Sequence, residues 1–247
     1  MNFIRIIPSL LISNGKLVKG SKFENFKNAG SPVTTVAALD SQIADEIFII
    51  DIDSYNKKKK PDFKTLKKIA EVSSTPITFG GGIDSLETAK KIFLNGADKI
   101  FLNTILFNNL NIIHEISSVY GNQAIIGGMN VIKKNNKYYL LEDKNLKIDP
   151  IEYAKKLEKL GVAEIKIIYV DLEGTKKGID YEYSKKINES VKIPCIFEGG
   201  LGNLEQLSKC FDYGLNSIAI GTMIIFSDYN IIKIKNYLKE KKRPVRL

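Results

Sequence analysis

Ile49-Ile50-Asp51-Ile52-Asp53 returns later in the chain as Ile168-Tyr169-Val170-Asp171-Leu172, and Gly80-Gly81-Gly82-Ile83 returns as Glu198-Gly199-Gly200-Leu201. A third block, Gly96-Ala97-Asp98-Lys99-Ile100-Phe101-Leu102-Asn103-Thr104, returns as Gly214-Leu215-Asn216-Ser217-Ile218-Ala219-Ile220-Gly221-Thr222. The offsets are all about 118 to 120 residues, close to half the chain, so one structural unit is written twice. Each block is a short apolar run that ends in Gly, Asp, Asn or Thr. Such a run reads as a strand that delivers a polar group or bare backbone to one edge of a sheet.

Working outward, eight strand-like runs lie near residues 4–11, 46–52, 75–80, 98–103, 123–130, 164–170, 193–198 and 217–222. Amphipathic stretches of helical length separate them, near 33–43, 62–73, 84–95, 108–118, 149–161, 181–190, 203–213 and 230–240. Strict strand–helix alternation calls for parallel strands, because a parallel pair needs a crossover of a dozen or more residues. Eight units in two similar halves predict a (β/α)8 barrel, a TIM barrel built from two half-barrels, as a single domain over residues 1–247. A doubly wound open sheet is the alternative, but it does not require equivalent halves.

The 247 residues are 44% hydrophobic, enough for one large core. No apolar run approaches the roughly 18 residues that span a bilayer, and Met1-Asn2-Phe3-Ile4-Arg5 lacks a signal-peptide pattern, so a cytoplasmic protein without a membrane partner is expected. Cys195 and Cys210 lack CxxC spacing and read as buried reduced thiols. The net charge of +9 comes largely from solvated helix faces such as Lys155-Lys156, Lys159 and Lys239 to Arg243. The run Lys57-Lys58-Lys59-Lys60 is different: it follows the second predicted strand and could draw in an anionic small-molecule substrate. A nucleic-acid partner is disfavoured by the lack of a motif or an aromatic-interleaved basic stripe. No Cys/His/Asp cluster has metal spacing, and no cofactor is expected. His114, the one histidine, falls on an outer helix.

In such a barrel the site forms at the C-terminal strand ends. This places Leu11, Asp51, Gly80 to Gly82, Asn103, Thr104, Asn130, Asp171, Glu198 and Gly221 around one mouth. The connecting loop at about 12–32, carrying Gly15, Lys19 and Gly20, is the longest and is expected to fold over it. The polar excursion from Lys133 to Lys147, with Tyr138-Tyr139, reads as a hairpin beside it. Glycine lets backbone N–H groups approach an anion, and a following helix adds its positive end. Gly81 and Gly82 with Asn103 and Thr104 make one candidate phosphate cradle. Gly199 and Gly200 with Gly221 and Thr222 make the second, which suits a ligand with two anionic ends. Tight strand-to-helix turns would use the same glycines.

Arg5-Ile6-Ile7, Asn14-Gly15-Lys16-Leu17-Val18-Lys19-Gly20, Phe23-Glu24-Asn25, Phe79 to Ile83, Ala97-Asp98-Lys99 with Asn103-Thr104, and Glu173-Gly174-Thr175-Lys176-Lys177-Gly178 together resemble the cyclase subunit of imidazole glycerol phosphate synthase. The resemblance covers essentially the whole chain. It implies an ammonia-using lyase-type synthase of histidine biosynthesis, joined as a heterodimer to a glutaminase subunit, and adds Gly174 to the phosphate ligands. In that family Asp residues ending the first and fifth strands perform the acid–base chemistry. The matching positions here hold Leu11 and Asn130. Leucine transfers no proton, and asparagine is no general base. Each such group is worth roughly 100- to 10,000-fold in rate.

The resemblance also implies an ammonia gate at the barrel floor, here Arg5, Glu46, Lys99 and Glu164; a structural salt-bridge ring would use the same residues. Lys19, Asp51, Asp171 and Glu173 are the remaining groups able to position or protonate a substrate, with Asn130 able to hydrogen-bond a carbonyl or amidine. Glu198 would add a negative charge beside the second cradle. The pattern fits a divergent branch in which an acetamido group becomes an acetamidino group in surface-sugar biosynthesis. Orthodox ring closure and a non-catalytic glutaminase-activating scaffold are the alternatives.

Overall fold

Ser217 to Ile220, the last strand of the chain, pair in parallel with Arg5 to Pro8 of the first, and this pairing closes the sheet. The computed structural model describes residues 3–56 and 59–246. Its elements are β1 (Arg5–Ser13), β2 (Lys16–Ser21), β3 (Glu24–Gly30), α1 (Pro32–Ser41), β4 (Ile47–Asp51), α2 (Ile52–Asn56), α3 (Phe63–Ala70), β5 (Ile77–Gly80), α4 (Leu86–Leu94), β6 (Lys99–Leu102) and α5 (Asn111–Tyr120). They continue with β7 (Ile125–Lys134), β8 (Lys137–Leu140), α6 (Pro150–Lys159), β9 (Glu164–Tyr169), α7 (Tyr181–Ser190), β10 (Cys195–Glu198), α8 (Leu204–Asp212), β11 (Ser217–Ile220), α9 (Thr222–Ile225) and α10 (Ile231–Glu240). The parallel order β11-β10-β9-β7-β6-β5-β4-β1, closed by β11 on β1, is the (β/α)8 barrel that the repeat predicts.

Local chemistry starts the helices where the periodicity places them. Ser31, Asp62, Ser85, Asp149, Asp180, Asn203 and Asn230 each accept a hydrogen bond from a backbone N–H in the first turn of the helix that follows. These caps satisfy donors that a helix start otherwise leaves open. Outward strand residues pack on the helices in one continuous core. Inward residues Ile7, Phe48, Phe101, Ile126, Ile168, Ile196 and Ala219 form a separate plug on the barrel axis, with Phe48 and Phe101 edge to face at 5.9 Å between ring centres. Cys195 and Cys210 are buried free thiols, and burial pushes the Cys195 thiol up to about 12.

The strand register gives the repeat at single-residue precision. Ile50 pairs with Gly80, and Ile168 pairs with Glu198. Leu11 pairs with Ile50 and Asn130 with Ile168, which makes Leu11 and Asn130 equivalent positions.

The 12–32 segment, expected as a connecting loop over the mouth, is a hairpin, β2 and β3, that continues the sheet from β1. Its signal was Asn14-Gly15. Both adopt positive φ, 48° and 69°, as a two-residue hairpin turn requires. Asn135 and Asn136, at 48° and 60°, turn the chain between β7 and β8 the same way, so the predicted hairpin after the fifth barrel strand is present.

Phe48 is fully buried in the axial plug. Phe48→Ala should therefore lower unfolding free energy by about 3–5 kcal/mol, measured by urea denaturation.

Candidate active site at the barrel mouth

The inward charges lie in layers along the axis. At the floor, Arg5 Nη1 is 3.5 Å from Glu46 Oε2, and Lys99 Nζ is 3.1 Å from Glu46 and 2.7 Å from Glu164. Arg5 also pairs closely with Glu164. Each cation therefore bridges both carboxylates in a closed ring of four charges. Thr78 donates to Glu46, and Arg5 Nε donates to Ser217 Oγ at 3.0 Å. Burial opposes ionisation of Glu164, but the Arg5 hydrogen bond and charge, with Lys99, hold its carboxyl below the usual range. Burial likewise works against the Lys99 charge, and Glu46 and Glu164 overcome it.

Within the plug layer, level with Ile196, Lys166 is fully buried and its ammonium is 2.7 Å from Glu198 Oε2. It donates to Ser9 Oγ at 3.1 Å, and Ser9 in turn donates to Glu198 at 3.0 Å. The same ammonium stands 3.9 Å from the centre of the Phe48 ring, a cation–π contact. Sequence reasoning missed Lys166. Its signal was a lysine at an inward position of a strand, two residues from inward-facing Glu164. The negative charge expected from Glu198 beside the second cradle is thus already paired within the barrel. Burial opposes that charge, but Lys166 and then Lys19 keep the carboxyl low.

At the mouth, the β2–β3 hairpin carries Lys19 in to form a buried ion pair with Glu173. Lys22 N donates to the Glu173 carbonyl at 2.9 Å, so backbone bonds hold the two segments together. A Cβ on Gly221 would lie 2.8 Å from Lys19 Nζ, and one on Gly174 would lie 2.8 Å from the Ser21 backbone. Lys19, Glu173, Gly174, Gly221 and Glu198 therefore meet. Burial and then the Glu198 charge push the Glu173 carboxyl up, against the pull of Lys19.

Other predicted residues have structural partners. Asp51 accepts from Asp53 N at 3.0 Å, Ser54 Oγ at 3.0 Å and Asp62 N at 2.9 Å, organising the turn after β4, while burial raises its carboxyl. Asp171 accepts from Lys133 N at 2.6 Å; at the equivalent place Asp53 accepts from Asn14 N at 2.8 Å. Each aspartate thus ties the hairpin that extends the preceding strand. Gly81 (φ 105°) and Gly199 (φ 112°) bring the chain against the carbonyls of Asp51 and Tyr169, where a Cβ would stand 2.1 and 2.6 Å away. Gly82 and Gly200 are equally tight, against Ser54 and the Gly178 carbonyl. Close packing thus requires these glycines whatever else they bind. Among the described residues, Asn103 Oδ1, Asn130 Oδ1 and Thr222 Oγ1 are buried without a hydrogen-bond partner. Each is a place for a ligand or water to complete.

Two cavities flank these residues at equivalent places in the halves. One of about 670 Å³ is lined by Lys22, Val131, Lys133, Tyr138, Asp171 and Lys177, among others. One of about 260 Å³ is lined by Ile12, Asn14, Asp51, Asp53, Lys59 and Lys60 among others. Lys57 and Lys58 of the basic run lie outside the described residues; Lys59 and Lys60 are exposed. His114 is exposed on α5, away from the mouth.

A family model described as "Histidine biosynthesis protein" matches residues 5–230. The chain is similar to the imidazole glycerol phosphate synthase subunit HisF of Chlorobium limicola, 34% identical over 247 residues and spanning 98% of each chain. It is similar to the subunit of the same name from Thermococcus onnurineus (36%) and from Sulfurisphaera tokodaii (38%), again over 98% of each chain.

The depressed Glu164 carboxyl fixes a pH signature. Its contribution to stability is complete above the unfolded carboxyl value, about 4.3, and is lost as pH falls through the lower folded value. Glu164→Gln should cost about 2–3 kcal/mol at pH 7, near the lower end for a broken buried pair because Arg5 and Lys99 reach solvent. The difference from the parent should shrink toward pH 3 in urea titrations.

Proposed function

The chain belongs to the histidine biosynthesis protein family, and from that premise we propose that it is the ammonia-using synthase subunit of a glutamine amidotransferase with an altered mouth. Its partner is a glutaminase subunit docked under the Arg5, Glu46, Lys99 and Glu164 ring, which acts as the ammonia gate. Its substrate is a phosphorylated or nucleotide-linked sugar whose acetamido group becomes an acetamidino group. The observation that carries this reading is the pair of equivalent strand ends, Leu11 and Asn130, which hold no carboxylate while the floor ring and the Lys19–Glu173 pair are intact.

The chemistry then needs one new C–N bond and no ring closure. The ammonia lone pair attacks the acetamido carbonyl carbon. The attack opens the carbonyl to an oxyanion and leaves the added nitrogen positively charged. Glu173, whose raised carboxyl suits proton exchange, relays two protons in turn from that nitrogen to the oxygen; the C–O bond breaks, water leaves, and Glu173 ends as the carboxylate it began as. Overall R–NH–CO–CH3 and NH3 give R–NH–C(=NH)–CH3 and H2O. Lys19, Gly174, Gly200, Gly221 and Thr222 hold one anionic end of the substrate, and Gly81, Gly82, Asn103 and Thr104 hold the other. Asp51 and Asp171 keep the flanking turns in place around it. Supporting this arrangement are the unpartnered Asn103 and Thr222 oxygens and the paired cavities.

The orthodox ring-closing reaction is the second reading, favoured by 34–38% identity along almost the entire length of the relatives. Excess ammonium salt in place of the glutaminase makes the mouth alone responsible for the outcome. With an acetamido nucleotide-sugar, mass spectrometry should show oxygen replaced by NH, and Glu173→Gln should lower kcat about 100- to 10,000-fold. Turnover of the phosphoribosyl aminoimidazole-carboxamide substrate instead would establish the orthodox reaction and remove the sugar reading.

A further inference from the structure

Asn130 stands where the fifth barrel strand reaches the mouth, on the inward face of β7. Alternation shows this: a Cβ on Gly128 would meet the axial Phe101 ring at 2.5 Å, whereas one on Gly127 would meet Leu157 of α6 at 3.2 Å. A Gly128 Cβ would also lie 2.9 Å from Asn103 Cβ, so Asn103 borders the same wall. The two ends of the Asn130 amide are treated differently. Nδ2 donates to Glu142 Oε1 at 2.6 Å, while Oδ1 is buried with no partner among the described residues. Glu142 comes from just past β8; the hairpin carries it over β7, and Leu141 N donates to the Asn130 carbonyl at 2.8 Å. Sequence alone held no signal for this meeting.

An ionised carboxylate only accepts hydrogen bonds, whereas an amide can present either a donor or an acceptor. Glu142 therefore selects one of two orientations: the NH2 group toward itself and the carbonyl oxygen away. We infer that Glu142 is a positioning residue that fixes the Asn130 amide, so that this strand end offers a neutral acceptor to an N–H group of the substrate. The same bond uses one of the two amide N–H groups and leaves Oδ1 as the unpaired acceptor. The identity of that N–H as part of an acetamido group rests on the proposed function; the orientation does not.

The device has a pH limit. Burial pushes the Glu142 carboxyl above its ordinary range, against the Asn130 bond, and Tyr153 of α6 is the titratable side chain that senses its charge. Once protonated, Glu142 can donate to Oδ1, and the amide is free to flip. The acceptor is thus present above the Glu142 titration and lost below it.

The test is the Asn130 side-chain amide resonance in uniformly 13C,15N-labelled protein, assigned by its disappearance in Asn130→Asp. In the parent protein, the resonance should shift in one step that coincides with the Glu142 side-chain carboxyl carbon, at a pH above the ordinary glutamate value. In Glu142→Gln the step should vanish. An Asn130 amide that does not titrate, or that titrates unchanged in Glu142→Gln, overturns the inference. The parent titration decides the matter even if the variant fails to fold. It also decides it if no acetamido nucleotide-sugar turns over, which would remove the proposed function alone. Where turnover is observed, Glu142→Gln should raise KM about tenfold, one ordinary hydrogen bond's worth, with kcat changed less. Glu142→Asp should recover part of that loss.

Discussion

Closure of β11 onto β1 is the constraint from which the rest follows. Once the sheet closes, every inward side chain shares one narrow axis, and a charge placed there must find its counter-charge there, because desolvation is expensive. The chain meets this layer by layer. The floor holds two cations and two anions; within the aromatic plug Lys166 faces Glu198; at the mouth Lys19 faces Glu173. Each layer is neutral by itself. The net charge of +9 therefore resides outside this column, where solvent screens it.

The two halves are equivalent in their scaffolding and divergent in their chemistry. Asp53 and Asp171 bind the same backbone position of equivalent hairpins, and Gly81 and Gly199 press against equivalent carbonyls. Along the axis Glu46 and Glu164 are alike, but other mates differ. Phe48 corresponds to Lys166, and the Lys166 ammonium rests on the ring of its own mate. Gly80 corresponds to Glu198, and Lys99 to Ser217, which accepts from Arg5. Divergence at equivalent positions supplied the opposite partners that a symmetric barrel could not have provided.

That asymmetry gives the mouth two characters. On one side Lys19, Glu173 and Glu198 form a charged, tightly coupled group in which one carboxyl is pushed up and the other held low. Leu11 and Asn130, by contrast, are neutral strand ends that stand four strands apart, on opposite sides of the mouth.

Periodicity, caps and repeated blocks by themselves determined the eight strands, the eight crossover helices, their order and the closed parallel barrel. Those features depend on residues near one another in sequence or on a pattern that occurs twice. The sequence also named Lys19, Glu173 and the floor ring as charged groups at the two ends of the strands. In the 12–32 connection Asn14-Gly15 marks the hairpin turn, but the pairing of β2 with β3 is set by the tertiary structure. What only tertiary structure decided is who meets whom: Lys166 with Glu198, Lys19 with Glu173, Glu142 with Asn130. Strand stagger sets the first pairing, and the reach of the two hairpins sets the others. A side chain's partner across a closed sheet is fixed by that geometry, which no local pattern encodes.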